Sequence, residues 1–169
     1  MRGAAVLFLT AYVLRALVAE LNSALSGYHV WFFAGGLFVA YASLMGSFRQ
    51  GFAVAVLVGL VCDALAPVTF GTQTALFCAS HAFVYNFRER LQRDDTLVRV
   101  GVALAVNLGL FVALTAARVR IHHGIAASWP RLLSDLLLSE GAIALAGPWF
   151  FALQERTLEL ARAPLERTA

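Results

Sequence analysis

The stretch GFAVAVLVGLVCDALA, residues 51–66, contains a single charged side chain, Asp63. A helix that crosses a bilayer needs roughly 20 mostly apolar residues, and this run approaches that length. Pro67 follows directly and cannot continue a regular helix, because it lacks a backbone N–H and clashes with the preceding turn. The stretch therefore predicts a membrane-embedded helix that is a little short for a full span.

The composition of the whole chain extends this interpretation. Its 169 residues are 60% hydrophobic and 14% charged, and the mean hydropathy is +0.76. A soluble domain is about 45–50% apolar and about 25% charged. Lipid rather than water must cover so much apolar surface, and the sequence therefore predicts an integral membrane protein.

Five further apolar stretches resemble the first one. We predict an all-α integral membrane protein built as a six-helix transmembrane bundle. The spans and their short links use nearly all of residues 1–169, which gives a single polytopic membrane domain. The predicted spans are 4–21, 28–45, 51–66, 70–87, 96–117 and 132–153.

The first span begins like a signal peptide, with Arg2 before an apolar run. That run continues past Arg15 to Ala19, and no convincing small-residue cleavage site follows. We therefore predict a retained first helix.

The arginines predict the orientation of the chain. All basic residues are arginine, and the formal charge of +3 gives no reason to expect a nucleic acid partner. With six spans and both termini in the cytoplasm, the outer side receives only Arg118, Arg120 and Arg131. This bias agrees with the rule that cytoplasmic loops carry the excess of basic residues.

The most distinctive motif is the order of glycines and one acid around the third and fourth spans. Gly51-Phe52 opens the third span, Gly59 and Asp63 follow in it, and Gly71 precedes the fourth. Gly51 and Gly59 are predicted to lie roughly on one helix face, where small residues let another helix approach closely. Gly71 suits a tight turn, because glycine tolerates unusual backbone angles.

Asp63 has two interpretations. It can cap the N-terminus of the fourth span by accepting hydrogen bonds from Thr69, Thr72 or backbone amides. Alternatively, a carboxylate at membrane depth can mark a site for an ion, a proton or a partner protein. The sequence leaves both open.

Other polar residues within the spans predict pairing between helices. Glu140 lies deep in the sixth span and needs a partner, for which Asn107 and Arg15 are candidates. His81 in the fourth span is predicted to make an interhelical hydrogen bond.

Nothing in the sequence indicates a catalytic or metal site. The adjacent pair His122-His123 has no Cys, Asp or Glu close by, which favours a solvated loop. We recognise no nucleophile–base pair, no phosphate-binding loop and no HExxH motif. Cys62 and Cys78 fall in apolar segments and are predicted to be buried thiols rather than a disulfide. We therefore predict no enzymatic activity, no cofactor and no metal.

The motif from Gly51 to Gly71 resembles the MreD family of rod shape-determining membrane proteins. The chain length, the six spans, the charged loop from Arg88 and the ending Trp149-Phe150-Phe151 before a charged tail are similar as well. The resemblance covers most of the chain, and its specific part is about 51–90. The entry into the second span, 28–31, lacks the proline that the family often has there.

The resemblance implies a non-enzymatic scaffold or regulator of the bacterial cell-elongation complex in the inner membrane. Its partner would be MreC, and through MreC it would act with MreB, RodA and the RodA transpeptidase in rod-shape maintenance and peptidoglycan synthesis. Membrane lipid surrounds it. The partner-binding or structural motif would be Gly51, Phe52, Gly59, Asp63 and Gly71, and we expect the glycine face to dock the single helix of MreC.

The family is also similar in architecture to the substrate-binding S components of energy-coupling-factor vitamin transporters. The alternative function is therefore a small-molecule, vitamin-like binding subunit of a membrane transporter. Asp63, Asn107 and Glu140 would then line a polar pocket near the outer side.

Overall fold

The protein is an all-α membrane bundle. A computed structural model describes residues 2–28, 30–65, 69–91, 95–121 and 129–162, and within these ranges it contains no strand. The helices are α1 (Arg2–Leu25), α2 (Gly35–Met45), α3 (Phe48–Leu65), α4 (Thr72–Phe87), α5 (Thr96–Ile121) and α6 (Trp129–Arg162). Short 3₁₀ turns follow α1 at Ser26–Tyr28 and α4 at Arg88–Arg90.

Four of these helices are long and apolar enough to cross a membrane. The qualifying stretches among the described residues are Ala5–Tyr28, Phe48–Leu65, Thr96–Arg118 and Trp129–Glu159. α2 and α4 are shorter, with 11 and 16 residues. At a rise of about 1.5 Å per residue, α2 alone covers only about half of a hydrocarbon core of roughly 30 Å.

The predicted boundary of the second span is wrong. The prediction began this helix at residue 28, whereas α2 begins at Gly35 and residues 30–34 are not helical. Their apolar side chains fit a span, but the backbone N–H groups of Trp31, Phe32 and Phe33 bond to side chains of other helices instead. The sixth helix is longer than the predicted 132–153, since it continues through Pro148 to Arg162.

α2 forms the centre of the bundle. Every residue from Gly36 to Leu44 is buried, as expected for a helix that is apolar on all sides. α2 packs most closely on α5, and α3 packs most closely on α4. Its neighbours place large apolar side chains around it, including Val54, Phe77, Leu110, Ile143 and Phe151.

Large apolar side chains also cover the outside of the bundle. Leu17, Leu137, Leu145 and Trp149 are each more than 60% exposed. So many exposed large apolar side chains indicate contact with lipid or with another membrane protein. These exposed apolar side chains, added to those of the buried core, explain the high mean hydropathy of the chain.

The two ends of the bundle differ in construction. We call the end formed by Gly46, Arg88, Arg99 and Glu155 the termini end, because α1 begins there and α6 ends there. We call the opposite end the cavity end. It is formed by the extended segment 30–34 with the C-terminal parts of α1, α3 and α5.

Candidate functional site

The extended segment 30–34 is held by side chains rather than by helical hydrogen bonds. The backbone N–H of Trp31 donates to Asp135 Oδ1 at 2.9 Å, and that of Phe33 donates to Ser139 Oγ at 3.0 Å. Phe32 exchanges two bonds with the Asn22 amide, at 2.7 Å and 2.8 Å. A non-helical backbone inside a membrane protein is stable only when its polar groups find such partners. Side chains from α1 and α6 therefore hold this segment in its extended conformation.

Asn107 connects α2, α5 and α6. Its Oδ1 accepts from the Gly36 N–H at 3.1 Å, and its Nδ2 donates to Glu140 Oε1 at 3.1 Å. The predicted pairing of Glu140 with Asn107 is confirmed. A Cβ on Gly36 would lie 2.5 Å from the Asn107 backbone nitrogen, so only glycine lets the helices approach this closely.

Asp63 caps α4. Its Oδ1 accepts from the Gln73 N–H at 2.8 Å, and its Oδ2 accepts from the Thr74 N–H at 3.0 Å and the Thr74 hydroxyl at 2.6 Å. These are the free donors of a helix N-terminus, where a carboxylate is also favoured by the helix dipole. The capping interpretation is confirmed, although the partners are Gln73 and Thr74 rather than Thr69 and Thr72.

The glycines of the motif lie inside the α3–α4 hairpin. A Cβ on Gly59 would lie 2.5 Å from the Thr74 Cα, and a Cβ on Gly51 would overlap the His81 ring. The predicted close approach of another helix is confirmed, but that helix is α4, so these glycines are not exposed as the face expected to dock the helix of MreC. Gly71 has φ of +92°, in the left-handed region that favours glycine, as the predicted tight turn requires.

Phe52 belongs to an aromatic cluster on the same hairpin. Its ring stacks on Phe48 with centroids 5.7 Å apart, and it remains 37% exposed. His81 is fully buried next to these rings. Its Nδ1 lies 2.9 Å from Ser43 Oγ and its Nε2 lies 3.3 Å from the Phe48 carbonyl oxygen. The predicted interhelical hydrogen bond of His81 is confirmed.

Two cavities adjoin the extended segment. The first, of about 90 Å³, lies between α1, α3, α4 and α5, and its polar lining includes Arg15, Asn22, Gln73 and Arg118. The second, of about 270 Å³, lies between α5 and α6. Trp31 and Arg118 line both of them. The other lining side chains are mostly apolar, so each cavity combines an apolar wall with positive charge.

The polar side chains that the sequence suggested for a pocket lie elsewhere. Neither cavity is lined by Asp63, Asn107 or Glu140, whose bonds are made between helices. Of the arginines that do line the cavities, Arg118 and Arg131 entered the sequence argument only through orientation, and Arg15 entered it as a candidate partner of Glu140. Asp135 and Ser139 are four residues apart, a spacing that places both on one helix face and was a usable signal.

A groove opens on the lipid-facing side between α4 and α5. It has a volume of about 500 Å³, and small residues such as Ala79, Ala105 and Gly109 line it. Gly109 is exposed, and a Cβ on it would meet nothing within 4 Å. Unlike the glycines of the α3–α4 hairpin, this glycine of the groove therefore faces open space.

Among the described residues no three His, Cys, Asp or Glu side chains come together in a way that could hold a metal ion. His122 and His123 lie outside those residues. Cys62 and Cys78 are free thiols, the first buried and the second partly buried.

Comparison with known proteins adds no relative. No family model, no curated protein and no solved structure matches the chain. The resemblance to MreD therefore rests on the residues quoted above.

Proposed function

We propose that this chain is a non-enzymatic scaffold of the MreD type in the bacterial cell-elongation complex. The observation that carries the proposal is the motif from Gly51 to Gly71, in which each element has a structural role. Gly51 and Gly59 let α3 and α4 approach, Asp63 caps α4, and Gly71 makes the turn. A protein built in this way acts by binding partners and shifting their conformational populations.

The proposed location is the bacterial inner membrane, with both termini in the cytoplasm. Four membrane-length apolar helices support a membrane location. The distribution of arginines supports the orientation, because it gives the termini end the larger share of positive charge. On this proposal the extended segment and both cavities face the outer side.

The α4–α5 groove is the proposed docking site for the single membrane helix of MreC. Ala105 and Gly109 line the groove four residues apart, and Gly101 lies four residues before Ala105 on α5; all three are exposed. Small residues at this spacing let two membrane helices pack backbone to backbone. MreC would then connect the chain to MreB, to RodA and to the RodA transpeptidase.

The proposal is tested by purifying the tagged chain from its own membranes in mild detergent and identifying partners by mass spectrometry. We expect enrichment of MreC and of the elongation synthase, and loss of MreC from Gly109→Leu. Gly141→Leu is the matched control, because Gly141 is also exposed with open space around it but lies on α6. Equal MreC recovery from both variants would refute the groove, and absence of MreC from the wild type would refute the function.

The cavities support a second candidate function, a small-molecule binding subunit of a vitamin-type transporter. On the proposed orientation both cavities lie toward the outer side, where such a subunit would take up its ligand. Enrichment of paired ATPases and a coupling subunit in the same purification would replace the scaffold proposal with this one.

A further inference from the structure

We propose that the cavity end binds an amphiphilic anion, with a phosphate or carboxylate group at Arg118 and an apolar body against the aromatic walls. This site does not depend on the scaffold function. It rests on the environment of Arg118, on the charge balance around the cavities and on their shape.

Arg118 is a cation without a counter-ion among the described residues. Its Nε is buried and has no hydrogen-bond partner there. Among the described residues, the ion pair that the structure shows joins Arg99 and Glu155, at the termini end of the bundle. The sequence between Arg118 and Trp129 contains no Asp or Glu that could serve instead. A partly buried guanidinium in a membrane protein is costly unless an anion accepts its hydrogen bonds.

Among the residues that line the two cavities, the one acid is Asp135. Its Oδ1 accepts the Trp31 N–H at 2.9 Å. Three arginines, Arg15, Arg118 and Arg131, line the two cavities against this one carboxylate. The excess of positive charge favours an anionic ligand.

The shape and lining of the cavities select an amphiphile over a simple ion. The first cavity holds about 90 Å³, which suits a small group, and the second holds about 270 Å³. Phe32 and Phe77 line the first, and Phe111 and Leu132 line the second. A free phosphate would contact Arg118 but leave these walls uncovered, whereas a lipid or an amphiphilic acid would cover them.

Trp31 completes the site. The Arg118 guanidinium lies 5.8 Å from the centre of the Trp31 ring, within the range of a cation–π interaction. The extended segment holds this ring in place through the bond from the Trp31 N–H to Asp135. The unusual backbone of residues 30–34 thereby positions one wall that the two cavities share.

The test measures thermal unfolding and native mass spectra of the purified chain in a neutral detergent. The probes are phosphatidylglycerol, phosphatidylcholine with the same acyl chains, and inorganic phosphate. We expect phosphatidylglycerol to bind and to raise the melting temperature, because a ligand that binds only the folded state stabilises it. Phosphatidylcholine and phosphate alone should have much smaller effects.

Variants assign the effect to Arg118. Arg118→Gln should weaken phosphatidylglycerol binding by roughly tenfold or more, the effect of losing hydrogen bonds to a charged group. Its melting temperature without ligand should change little, because the cation it removes has no counter-ion among the described residues and loses only the 5.8 Å contact with the Trp31 ring. Arg118→Lys should recover part of the binding. Arg49→Gln is the control, because Arg49 is exposed and lies just after the turn between α2 and α3.

Three results would overturn the proposal. The first is equal stabilisation by phosphatidylglycerol and phosphatidylcholine, which would show that the ligand need not be an anion. The second is full stabilisation by inorganic phosphate alone, which would show that the ligand needs no apolar body. The third is wild-type binding by Arg118→Gln, or a lower ligand-free melting temperature of both Arg118 variants, which would make Arg118 structural. None of these results bears on the recovery of MreC, so the scaffold proposal stands or fails separately.

Discussion

The two ends of this bundle treat their arginines in opposite ways. At the termini end, Arg88 donates to the Gly46 carbonyl at 2.9 Å and lies 3.7 Å from the Tyr85 ring centre, and Arg99 pairs with Glu155 at 2.6 Å. At the cavity end, the Nε of Arg118 is buried and finds no partner among the described residues.

This difference separates structural from binding roles. At the termini end, a charged side chain bonds to the carbonyl that follows α2, and an ion pair joins α5 to α6. The cavity end holds its backbone with uncharged amides, a hydroxyl and one carboxylate, and it keeps positive charge beside empty volume. The buried guanidinium nitrogen that has no hydrogen-bond partner among the described residues therefore lies where we propose that a ligand binds.

The largest expected effect comes from filling the contact between α3 and α4. In Gly59→Leu the new side chain would meet the Thr74 backbone, with even a Cβ only 2.5 Å from its Cα. Because backbone cannot yield as a flexible side chain can, we expect destabilisation by about 3 kcal/mol or more. Fluorescence-detected size exclusion after heating measures it, and Gly101→Leu should behave like the wild type. If Gly59→Leu is as stable as the wild type but no longer recovers MreC, this glycine face docks MreC and the assignment of its contact to α4 is wrong.

The second effect concerns the cap of α4. Asp63→Ala removes the acceptor of two backbone N–H groups and one hydroxyl, which should cost about 2 kcal/mol. Asp63→Asn should retain part of this stability. Thermal unfolding of the three proteins in one detergent gives the order. Wild-type stability of Asp63→Ala combined with lost partner binding would assign Asp63 to a partner site instead.

The third effect tests the cavity end directly. Asn22→Ala leaves both the N–H and the carbonyl of Phe32 unpaired, which should cost about 1–3 kcal/mol. Hydrogen exchange followed by mass spectrometry should show faster exchange in 30–34 with little change in α3. Uniform acceleration across the bundle would show that Asn22 does not act locally.

The smallest effect is expected at the termini end. Glu155 is 42% exposed, so solvent screens its ion pair with Arg99. Glu155→Gln should therefore lower stability by less than about 1 kcal/mol, and the loss should shrink further in high salt. Comparing its melting temperature with that of Arg118→Gln sharpens the contrast between the ends, since only the removal of Glu155 breaks an ion pair.

Local patterns in the sequence predicted much of the fold and part of the site. The six helices followed from apolar stretches of membrane length. The cap at Asp63 was predictable because its donors lie only 10 and 11 residues away in the chain. The pairing of Asn107 with Glu140 was predictable because each is a polar group at membrane depth that needs a partner.

Features that depend on distant residues were not predictable in this way. Trp31 and Phe33 have the apolarity of a span, but their N–H groups bond to Asp135 and Ser139, more than 100 residues away. Gly59 predicted a close helix contact correctly, yet its sequence spacing does not say which helix approaches. Side chains from helices far apart in the sequence, including α1, α5 and α6, line the cavities, so no single sequence motif predicts them.

We propose above all that the α4–α5 groove receives the membrane helix of MreC. A photo-crosslinking amino acid tests it in the membranes of growing cells when it replaces Phe83, a large exposed side chain that lines the groove, and separately Leu145, a large exposed side chain on α6. We expect a crosslink to MreC from position 83 and none from position 145. A crosslink to MreC from position 145 but not from position 83 would contradict the proposal.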